Sequence, residues 1–356
     1  MRTKRSLLIL LLAVVIVAGI VTAYVARARS SWHAFIRQYW EEMVPFTFDL
    51  SPSGRTLAFT AKGVGGRDLY LMDIETKHVK RLIQSPQFEW EVRFLNEDTL
   101  VISAVEDASN LTSAIHLYTL GLRDGARRQI TGEIHVRDGT LTPLSADEVL
   151  FIRSRIEKRF NPMGIYFLPW CIMDVYGVVQ GVYIANIQTG ERRLVGGAYD
   201  TFVIHCAEGI VLKDRQRMIM QNVGSGNYID LVTLNAPLGS PNLRRIHKKH
   251  LARNAHTPTV SPDERFLCFV RDDNSSHAIF RLDLNTLATT HLTVRNHPVS
   301  TLRATSRYLF FLEGPGGDVR LWGDRIILWR LALDSKQLER VLSPEQFADP
   351  RPLSQL

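Results

Sequence analysis

A pair of short strands recurs along this sequence at a nearly constant spacing. The clearest copy is Leu69–Thr76, where apolar side chains alternate over both faces of an extended segment, followed by a second strand near Val79. Five further copies follow at steps of about 46 to 50 residues, with one step of about 67; they begin near Ile115, Val182, Ile229, Ile279 and Ile327. A repeat of this length indicates supersecondary units that must pack on their neighbours to bury their hydrophobic faces.

Each copy is preceded by two more strand patterns. In the first repeat these are Phe46–Leu50 and Thr56–Thr60, separated by a Ser-Pro-Ser-Gly turn. In the fourth repeat we place them at Thr201–Cys206 and Gly209–Leu212. Four antiparallel strands per repeat make one propeller blade. We therefore predict an all-β fold, a six-bladed β-propeller of four-stranded blades over 46–343, with blades at about 46–85, 86–133, 134–197, 198–250, 251–296 and 297–343, and a tail at 344–356.

The order of motifs within a repeat resembles that of TolB-like six-bladed propellers. A Ser-Pro turn, an apolar strand, Leu-Tyr-Leu-Met-Asp and a basic-apolar strand follow one another, and the turn is fullest at Ser51–Gly54 and Ser261–Glu264. The resemblance covers about 46–342 and implies the fold. Because that group includes periplasmic scaffolds, sensor-like propellers and the non-catalytic propellers of oligopeptidases, it does not determine the function.

The N-terminal residues have the pattern of a membrane anchor. A basic start precedes residues 7–26, which carry no charge and are long enough as a helix to cross a bilayer core of about 30 Å. We interpret 1–29 as an uncleaved signal anchor, with a cleaved signal peptide as the alternative. The basic residues lie mainly before the span, which predicts that the propeller lies outside the cytoplasm, on the periplasmic side of a bacterial inner membrane.

Residues 30–45 have the periodicity of a short amphipathic helix, and Pro45 ends it. Its apolar positions are Trp32, Phe35, Ile36, Tyr39, Trp40 and Met43. Two interpretations are open. The helix rests at the membrane interface, where Trp and Tyr are favoured, or it docks on the propeller as a plug or lid.

The composition is that of a folded globular protein, with 45% hydrophobic and 22% charged residues and a net charge of +7. The three cysteines, Cys171, Cys206 and Cys268, have no zinc or redox spacing. They form either three inert core thiols or, in an exported domain, one disulfide and one free thiol. We predict no metal and no cofactor.

No hydrolase elbow, zinc-protease motif, Walker loop or dinucleotide fingerprint occurs in the sequence. This favours a binding or scaffold module without catalytic residues. The alternative is an enzyme or binding protein for a glycan or an anionic small molecule in the central channel, which the first strands line. The channel candidates, rich in Arg and His, favour an anionic ligand over calcium; they are Glu91, Arg93, Arg137, Asp138, His205, His256 and Arg303.

The third repeat contains about twenty extra residues between its second and third strands, where a loop is expected. Aromatic and apolar residues of this kind are enriched in binding hot spots, so we predict a protein partner here. The candidates are Tyr166, Phe167, Trp170, Met173 and Tyr176. The alternatives are packing on its own domain and membrane contact through Tyr166, Phe167 and Trp170.

A basic run at 244–250, with Arg253, lies near the rim of the fourth blade. A charged edge that prevents unwanted strand pairing is the first interpretation. Anionic lipid headgroups or a polysaccharide are the alternative ligands. The exported location argues against nucleic acid.

Overall fold

The computed structural model describes residues 47–62, 67–83, 88–107, 113–160, 173–197, 209–222, 227–238, 240, 245–273, 276–314 and 326–343. Within these ranges the regular structure consists of 24 β-strands and no helix. No segment of this described part forms a helix that could span a bilayer. The predicted anchor at 7–26, the amphipathic helix at 30–45 and the tail at 344–356 lie outside the described residues.

The strands fall into consecutive groups of four, here called units 1 to 6. The strands of units 1 to 3 are β1 Phe48–Leu50, β2 Thr56–Lys62, β3 Arg67–Asp73, β4 Val79–Ile83, β5 Phe88–Asn96, β6 Thr99–Val105, β7 Ile115–Gly121, β8 Arg127–Gln129, β9 Val136–Pro143, β10 Glu148–Phe160, β11 Met173–Asn186 and β12 Arg192–Gly197. The strands of units 4 to 6 are β13 Ile210–Val211, β14 Arg217–Asn222, β15 Tyr228–Leu234, β16 Arg245–Ala252, β17 Ala255–Val260, β18 Phe266–Asp273, β19 Ser276–Asp283, β20 Thr289–Arg295, β21 Val299–Ala304, β22 Tyr308–Glu313, β23 Ile327–Ala332 and β24 Leu338–Leu342.

Each unit is an antiparallel meander in which every strand pairs with the next one along the chain. Units 1, 2 and 3 are also joined by single parallel pairs, Arg67 with Phe88 and Ile115 with Arg137. Polar turns end the strands; at Asp73, for example, the carboxylate accepts the backbone N–H groups of Glu75 and Thr76. The prediction of an all-β fold built from four antiparallel strands at a time is confirmed.

The strand assignment predicted for the fourth repeat is wrong. Ile210 and Val211 form the first strand of unit 4, not the second, because they pair with Met218 and Ile219 of β14. The turn between these strands lies at Asp214, whose carboxylate accepts the backbone N–H groups of Gln216 and Arg217, each at 2.9 Å. That short polar turn was overlooked in the sequence. The segment 201–206 lies outside the described residues.

The extra residues of the third repeat are in part strand, where a loop was predicted, and 161–172 lie outside the described residues. β10 and β11 continue past the rest of unit 3 as one long hairpin, in register to the pair Phe160–Met173. Met173 and Tyr176 therefore lie on a strand, because Val-Tyr-Gly-Val-Val is rich in residues that favour extended structure. Tyr166, Phe167 and Trp170 lie outside the described residues.

Buried hydrophobic clusters lie between neighbouring units. Between units 1 and 2, for example, Leu69 packs in one cluster with Val92 and Phe94. Similar clusters join units 2 to 3, 3 to 4, 4 to 5 and 5 to 6. The cluster that follows contains Phe310 and Leu328 of unit 6 together with residues of unit 1. The last unit therefore packs on the first, as a closed arrangement requires.

Truncation of one side chain in the cluster between units 6 and 1 tests how much this cluster contributes to the stability of the fold. Phe310 is fully buried, so Phe310→Ala should lower the free energy of unfolding by about 3–5 kcal/mol, through lost burial and a residual cavity. The measurement is chemical denaturation followed by tryptophan fluorescence. Ile134→Ala is the control, since 77% of the Ile134 surface is exposed and its effect should stay within about 0.5 kcal/mol. Equal effects of the two changes would contradict the role of the cluster.

Candidate functional site

The first strands of neighbouring units lie beside one another, which brings their polar side chains together. β1 contacts β5, β5 contacts β9, and β17 contacts β21. On three of these strands a charged residue stands between apolar ones: Asp49 on β1, Arg93 on β5 and Arg303 on β21. Glu91 lies two residues before Arg93. We call Asp49, Glu91, Arg93 and Arg303 the central cluster.

Asp49 connects three units through one carboxylate. Its Oδ1 accepts a hydrogen bond from Nε of Arg303 in unit 6, at 2.8 Å. Its Oδ2 accepts the backbone N–H of Phe94 in unit 2, also at 2.8 Å. The Asp49 side chain is only 13% exposed, so both bonds lie largely away from water. A charge-assisted contact of this kind fixes the relative positions of the strands that contribute to it.

Glu91 and Arg93 join unit 2 to unit 3. The Glu91 carboxylate pairs with Nη2 of Arg93 at 2.8 Å and accepts the backbone N–H of Leu141 at 3.1 Å. Arg93 in turn donates from Nε to the carbonyl oxygen of Leu141 at 3.2 Å and from Nη1 to that of Val92 at 3.1 Å. Side chains from β5 therefore hold both backbone groups of Leu141 on β9.

Arg303 makes fewer hydrogen bonds than Arg93, the other guanidinium of the central cluster. Burial lowers the pKa of its guanidinium to about 10; Arg93 acts in the same direction, and Asp49 and Glu91 only partly offset them. Nε bonds to Asp49 and Nη1 to the carbonyl oxygen of Leu302, whereas Nη2 has no hydrogen-bond partner among the described residues. The side chain keeps 23% of its surface accessible. A buried cation with spare donors beside a second guanidinium favours the arrival of an anion.

Strained threonines lie on three of the first strands. Thr140, Thr257 and Thr301 have φ values of 57°, 53° and 48°. This left-handed region is unfavourable for a β-branched residue. Each threonine lies where the register between the first and second strands shifts, as in a β-bulge. Strain and bulges of this kind concentrate where a protein redirects side chains for binding.

The other predicted channel residues make different contacts. Asp138 is fully buried and accepts two hydrogen bonds from Arg153, from Nε at 2.7 Å and from Nη2 at 2.8 Å. Arg153 also donates to both carboxylate oxygens of Glu133 at 3.0 Å, and Glu133 pairs with Arg192. Arg137 is half-buried on β9, opposite Ser154 of β10. Asp138 thus belongs to an ion-pair network inside unit 3.

His256 belongs to a second polar group, on unit 5. Its Nδ1 lies 2.7 Å from the Thr257 hydroxyl and its Nε2 lies 3.1 Å from the Asp272 carboxylate. The other oxygen of Asp272 is 2.6 Å from Nδ1 of His277. Burial raises the pKa of Asp272, but the hydrogen bonds from His256 and His277 outweigh it and leave that pKa below its ordinary value. His205 lies outside the described residues.

The structure therefore brings together three of the predicted residues, Glu91, Arg93 and Arg303, and the ligand-binding role of the whole set stays a prediction. Asp49 was missed by sequence reasoning. The available signal was its place in Phe-Asp-Leu, between apolar residues of a first strand, as Arg93 and Arg303 stand in theirs. Asp272 was missed because its partner His256 is on another strand.

The basic run contains exposed residues and residues that lie against a carboxylate. Arg245, His247 and Lys249 are exposed on β16, which among the described strands pairs only with β15. Asp230 lies 2.8 Å from Lys248 and 2.5 Å from His250. These contacts fit the interpretation as a charged edge strand.

An open cleft of about 540 Å³ lies on unit 6, away from the central cluster. Tyr308 and Arg330 line it, with the guanidinium carbon of Arg330 at 4.8 Å from the centre of the Tyr308 ring. Arg330 is already paired with Glu75 of unit 1 and with Glu339. These pairs link the last unit to the first, and they leave the guanidinium little capacity for a ligand.

Neither metal nor thiol chemistry has support in the described part of the chain. No group of three or more His, Cys, Asp or Glu side chains there could hold a metal ion. Cys268 is a free, buried thiol, and burial raises its pKa to about 12, so it stays protonated and unreactive. Cys171 and Cys206 lie outside the described residues.

No protein-family model matches the chain, and no curated protein matches its sequence. Solved structures match its fold. TolB from Acinetobacter baumannii aligns at a TM-score of 0.53 and 14% identity, over 82% of this chain and 64% of TolB. A chain of a nidogen/laminin complex aligns at 0.52 and 10%, over 82% of this chain and 95% of its own length. A variant of the AtxE2 isopeptidase with Astexin3-dC4 bound aligns at 0.50 and 11%, over 84% and 51%.

At these identities the likeness shows the fold alone. The chain has a propeller-like fold, and the predicted resemblance to TolB-like propellers is confirmed at that level.

The unit 3 network makes a prediction about pH. Although burial raises the pKa of Glu133, hydrogen bonds from Arg153 and Arg192 lower it from 4.5 to about 2. A carboxyl whose pKa is lower in the folded state stabilises the fold above its unfolded pKa and loses that effect as the pH falls through the folded pKa. The free energy of unfolding should therefore fall between about pH 4.5 and 2, and less steeply in Glu133→Gln. Thermal unfolding across this range measures the slope. Identical slopes in both proteins would show that the ion pairs contribute nothing.

Proposed function

We propose that this chain is a six-bladed β-propeller, anchored in the membrane and exported, that acts as a binding or scaffold module without catalysis. We further propose that its central cluster binds an anionic group. The six four-stranded units and the packing of unit 6 on unit 1 support the blade number. The likeness to TolB supports the fold class.

Arg303 pairs with Asp49 through Nε but has no partner for Nη2 among the described residues, and this is the observation that carries the ligand proposal. Both carboxylates of the cluster already accept hydrogen bonds from protein donors, on both oxygens of each. The two guanidiniums are close enough for Arg93 to lower the pKa of Arg303, and Arg303 keeps Nη2 without a partner among the described residues. A carboxylate, sulfate or phosphate would supply acceptor oxygens for the free donors of Arg303.

The surroundings of the cluster favour binding over catalysis. Both oxygens of the Asp49 carboxylate and both of the Glu91 carboxylate already accept hydrogen bonds from protein donors, which leaves them poorly placed to take a proton from a substrate. The cluster is instead rigid, because backbone groups of β5, β9 and β21 anchor its side chains. Rigid, preorganised donors favour selective binding of an anion. A chain of the nidogen/laminin complex has a similar fold, which is consistent with a propeller that binds another protein.

The channel enzyme remains the second candidate, and His256 is the observation in its favour. An imidazole held between a hydroxyl and a carboxylate has the connectivity of a general base. Turnover of a glycan that disappears in His256→Gln, with the fold retained, would favour the enzyme over the binding module.

Binding of a simple anion tests the central cluster. Citrate titrated into the full chain should bind, and Arg303→Gln should weaken it about tenfold or more, since a charge-assisted hydrogen bond contributes about 1.5–3 kcal/mol. Asp49→Asn should strengthen binding, because it removes a competing carboxylate. Isothermal titration calorimetry measures both effects, and Arg123→Gln is the control on an 82% exposed arginine. If both variants keep the fold, as circular dichroism would show, equal weakening of citrate binding by Arg303→Gln and Asp49→Asn would contradict the proposal.

Membrane anchoring needs a separate measurement. If residues 7–26 span the bilayer, the full chain should stay in the membrane pellet after an alkaline carbonate wash, because a spanning helix is held by hydrophobic burial. A chain lacking residues 1–29 should be released. Release of the full chain by the wash would overturn the anchor without affecting the proposal for the central cluster.

A further inference from the structure

The side chain of Arg271 on β18 lies on aromatic rings and keeps hydrogen-bond donors to spare. Arg271 follows Phe269 by two residues and so shares the face of β18 that packs on unit 4. Its guanidinium carbon lies 4.7 Å from the centre of the Phe280 ring and 5.8 Å from that of Phe269. Its Nε is shielded from solvent and has no hydrogen-bond partner among the described residues. The rings attract a cation but accept no strong hydrogen bond, so the guanidinium retains donors for an anion.

The repeat itself does not require an arginine at this position. Arg271 and Ala278 form the sixth pair between the second and third strands of unit 5, counted from the polar turn after the third strand. In the same pair, the residue on the second strand is Ala61 in unit 1 and Ala104 in unit 2, and both alanines are buried. An alanine therefore satisfies the packing between units here, and packing does not account for the arginine of unit 5.

Unit 1 has a carboxylate at the position where unit 5 has an alanine. The sixth pair of unit 1 is Ala61 with Asp68, and the Asp68 carboxylate lies 3.6 Å from Arg81 on the fourth strand. The corresponding residues of unit 5 are Ala278 on the third strand and His291 on the fourth. Unit 5 therefore places a guanidinium and an imidazole around a position that in unit 1 holds the protein's own carboxylate.

This position is open to solvent in unit 5. In unit 1, Asp68 and Tyr70 are 0% and 5% exposed. In unit 5, by contrast, Ala278 and Phe280 are half-buried and His291 is exposed. A small molecule can therefore reach the guanidinium of unit 5 from outside, whereas the packing of unit 1 excludes it.

The charges around this position favour an anion. Lys249 of unit 4 is exposed and stands opposite Leu231, which packs against the cluster between units 4 and 5, so the lysine faces unit 5. Asp272, the next residue along β18, points to the other face of the strand, where it pairs with His256 and His277. We use the name outer site for Lys249, Arg271, Ala278, Phe280 and His291.

We propose that the outer site binds the carboxylate group of a small acid. The ligand carboxylate takes the place that the Asp68 carboxylate has in unit 1, and it accepts hydrogen bonds from the planar fork of Arg271. The match to a residue of unit 1 favours a carboxylate over a bulkier phosphate or sulfate. The outer site lies on the second, third and fourth strands, whereas the central cluster lies on the first strands, so the two proposals succeed or fail independently.

The first experiment measures binding at the outer site alone. Glutarate is titrated by isothermal calorimetry into the full chain in detergent micelles, with Arg303→Gln present to remove any contribution of the central cluster. Glutarate should bind, and Arg271→Ala should weaken binding about tenfold or more, an effect typical of a lost charge-assisted hydrogen bond. The alanine variant should fold, because units 1 and 2 hold alanine at this position.

Arg340→Ala is the control, on an exposed arginine of β24, and should leave glutarate binding unchanged. Absence of glutarate binding, equal binding with and without Arg271, or tighter binding of inorganic phosphate than of glutarate would each overturn the inference. Failure of the central cluster to bind citrate would leave these results unaffected.

The second experiment supplies the carboxylate from within the protein. Ala278→Asp places a carboxylate directly opposite Arg271 and should weaken glutarate binding about tenfold or more, whereas the uncharged Ala278→Asn should weaken it less. The Tm of Ala278→Asp should exceed that of Ala278→Asn by about 1–2 °C, and this difference should vanish when Arg271 is also replaced by alanine. Equal Tm values and equal glutarate binding for the two variants, with Arg271 present, would contradict the proposed site.

Discussion

Packing of each unit on its neighbours is the constraint on which the rest of this structure depends. The buried clusters that lie between units draw their side chains from two units each, so a single unit has little core of its own. The cluster between unit 6 and unit 1 joins the two ends of the described repeats, so its members are the farthest apart in sequence. That closure also places Arg303 against Asp49, 254 residues away in the sequence. The central cluster is therefore a product of closure, and the packing that stabilises the fold also assembles the site.

The chemistry of the central cluster follows from the positions that its charged side chains take when unit 6 packs on unit 1. The cluster contains two carboxylates and two guanidiniums, so the formal charges cancel. The hydrogen bonds to these groups are nevertheless distributed unevenly. The carboxylates are satisfied by backbone N–H groups as well as by arginines, whereas Arg303 has a lowered pKa and spare donors. Burial penalises a cation more when a second cation is near, and an incoming anion relieves both effects. The strained threonines at the bulges of β9, β17 and β21 show that the first strands carry backbone distortions that regular pairing alone would not require.

The fold could be predicted from the repeat, because the alternation of apolar and polar residues and the positions of turn residues are local properties of the sequence. The all-β class and the four antiparallel strands per unit followed from it. The central cluster could be predicted only in part. Glu91, Arg93 and Arg303 were found because they interrupt apolar first strands, but their partner Asp49 and the buried pair of Asp138 with Arg153 depend on contacts between distant segments. The sequence does not predict the strands of unit 4 correctly because the polar turn at Asp214 is short, and it does not predict the extension of the β10–β11 hairpin because the other repeats have no such extension.

The departures from the repeat are the places where selection for packing no longer explains the sequence. A residue inside a unit is fixed by the neighbour that it must cover. The spare donors of Arg303 are such a case, because among the described residues the chain supplies only one side of the interaction that they could make.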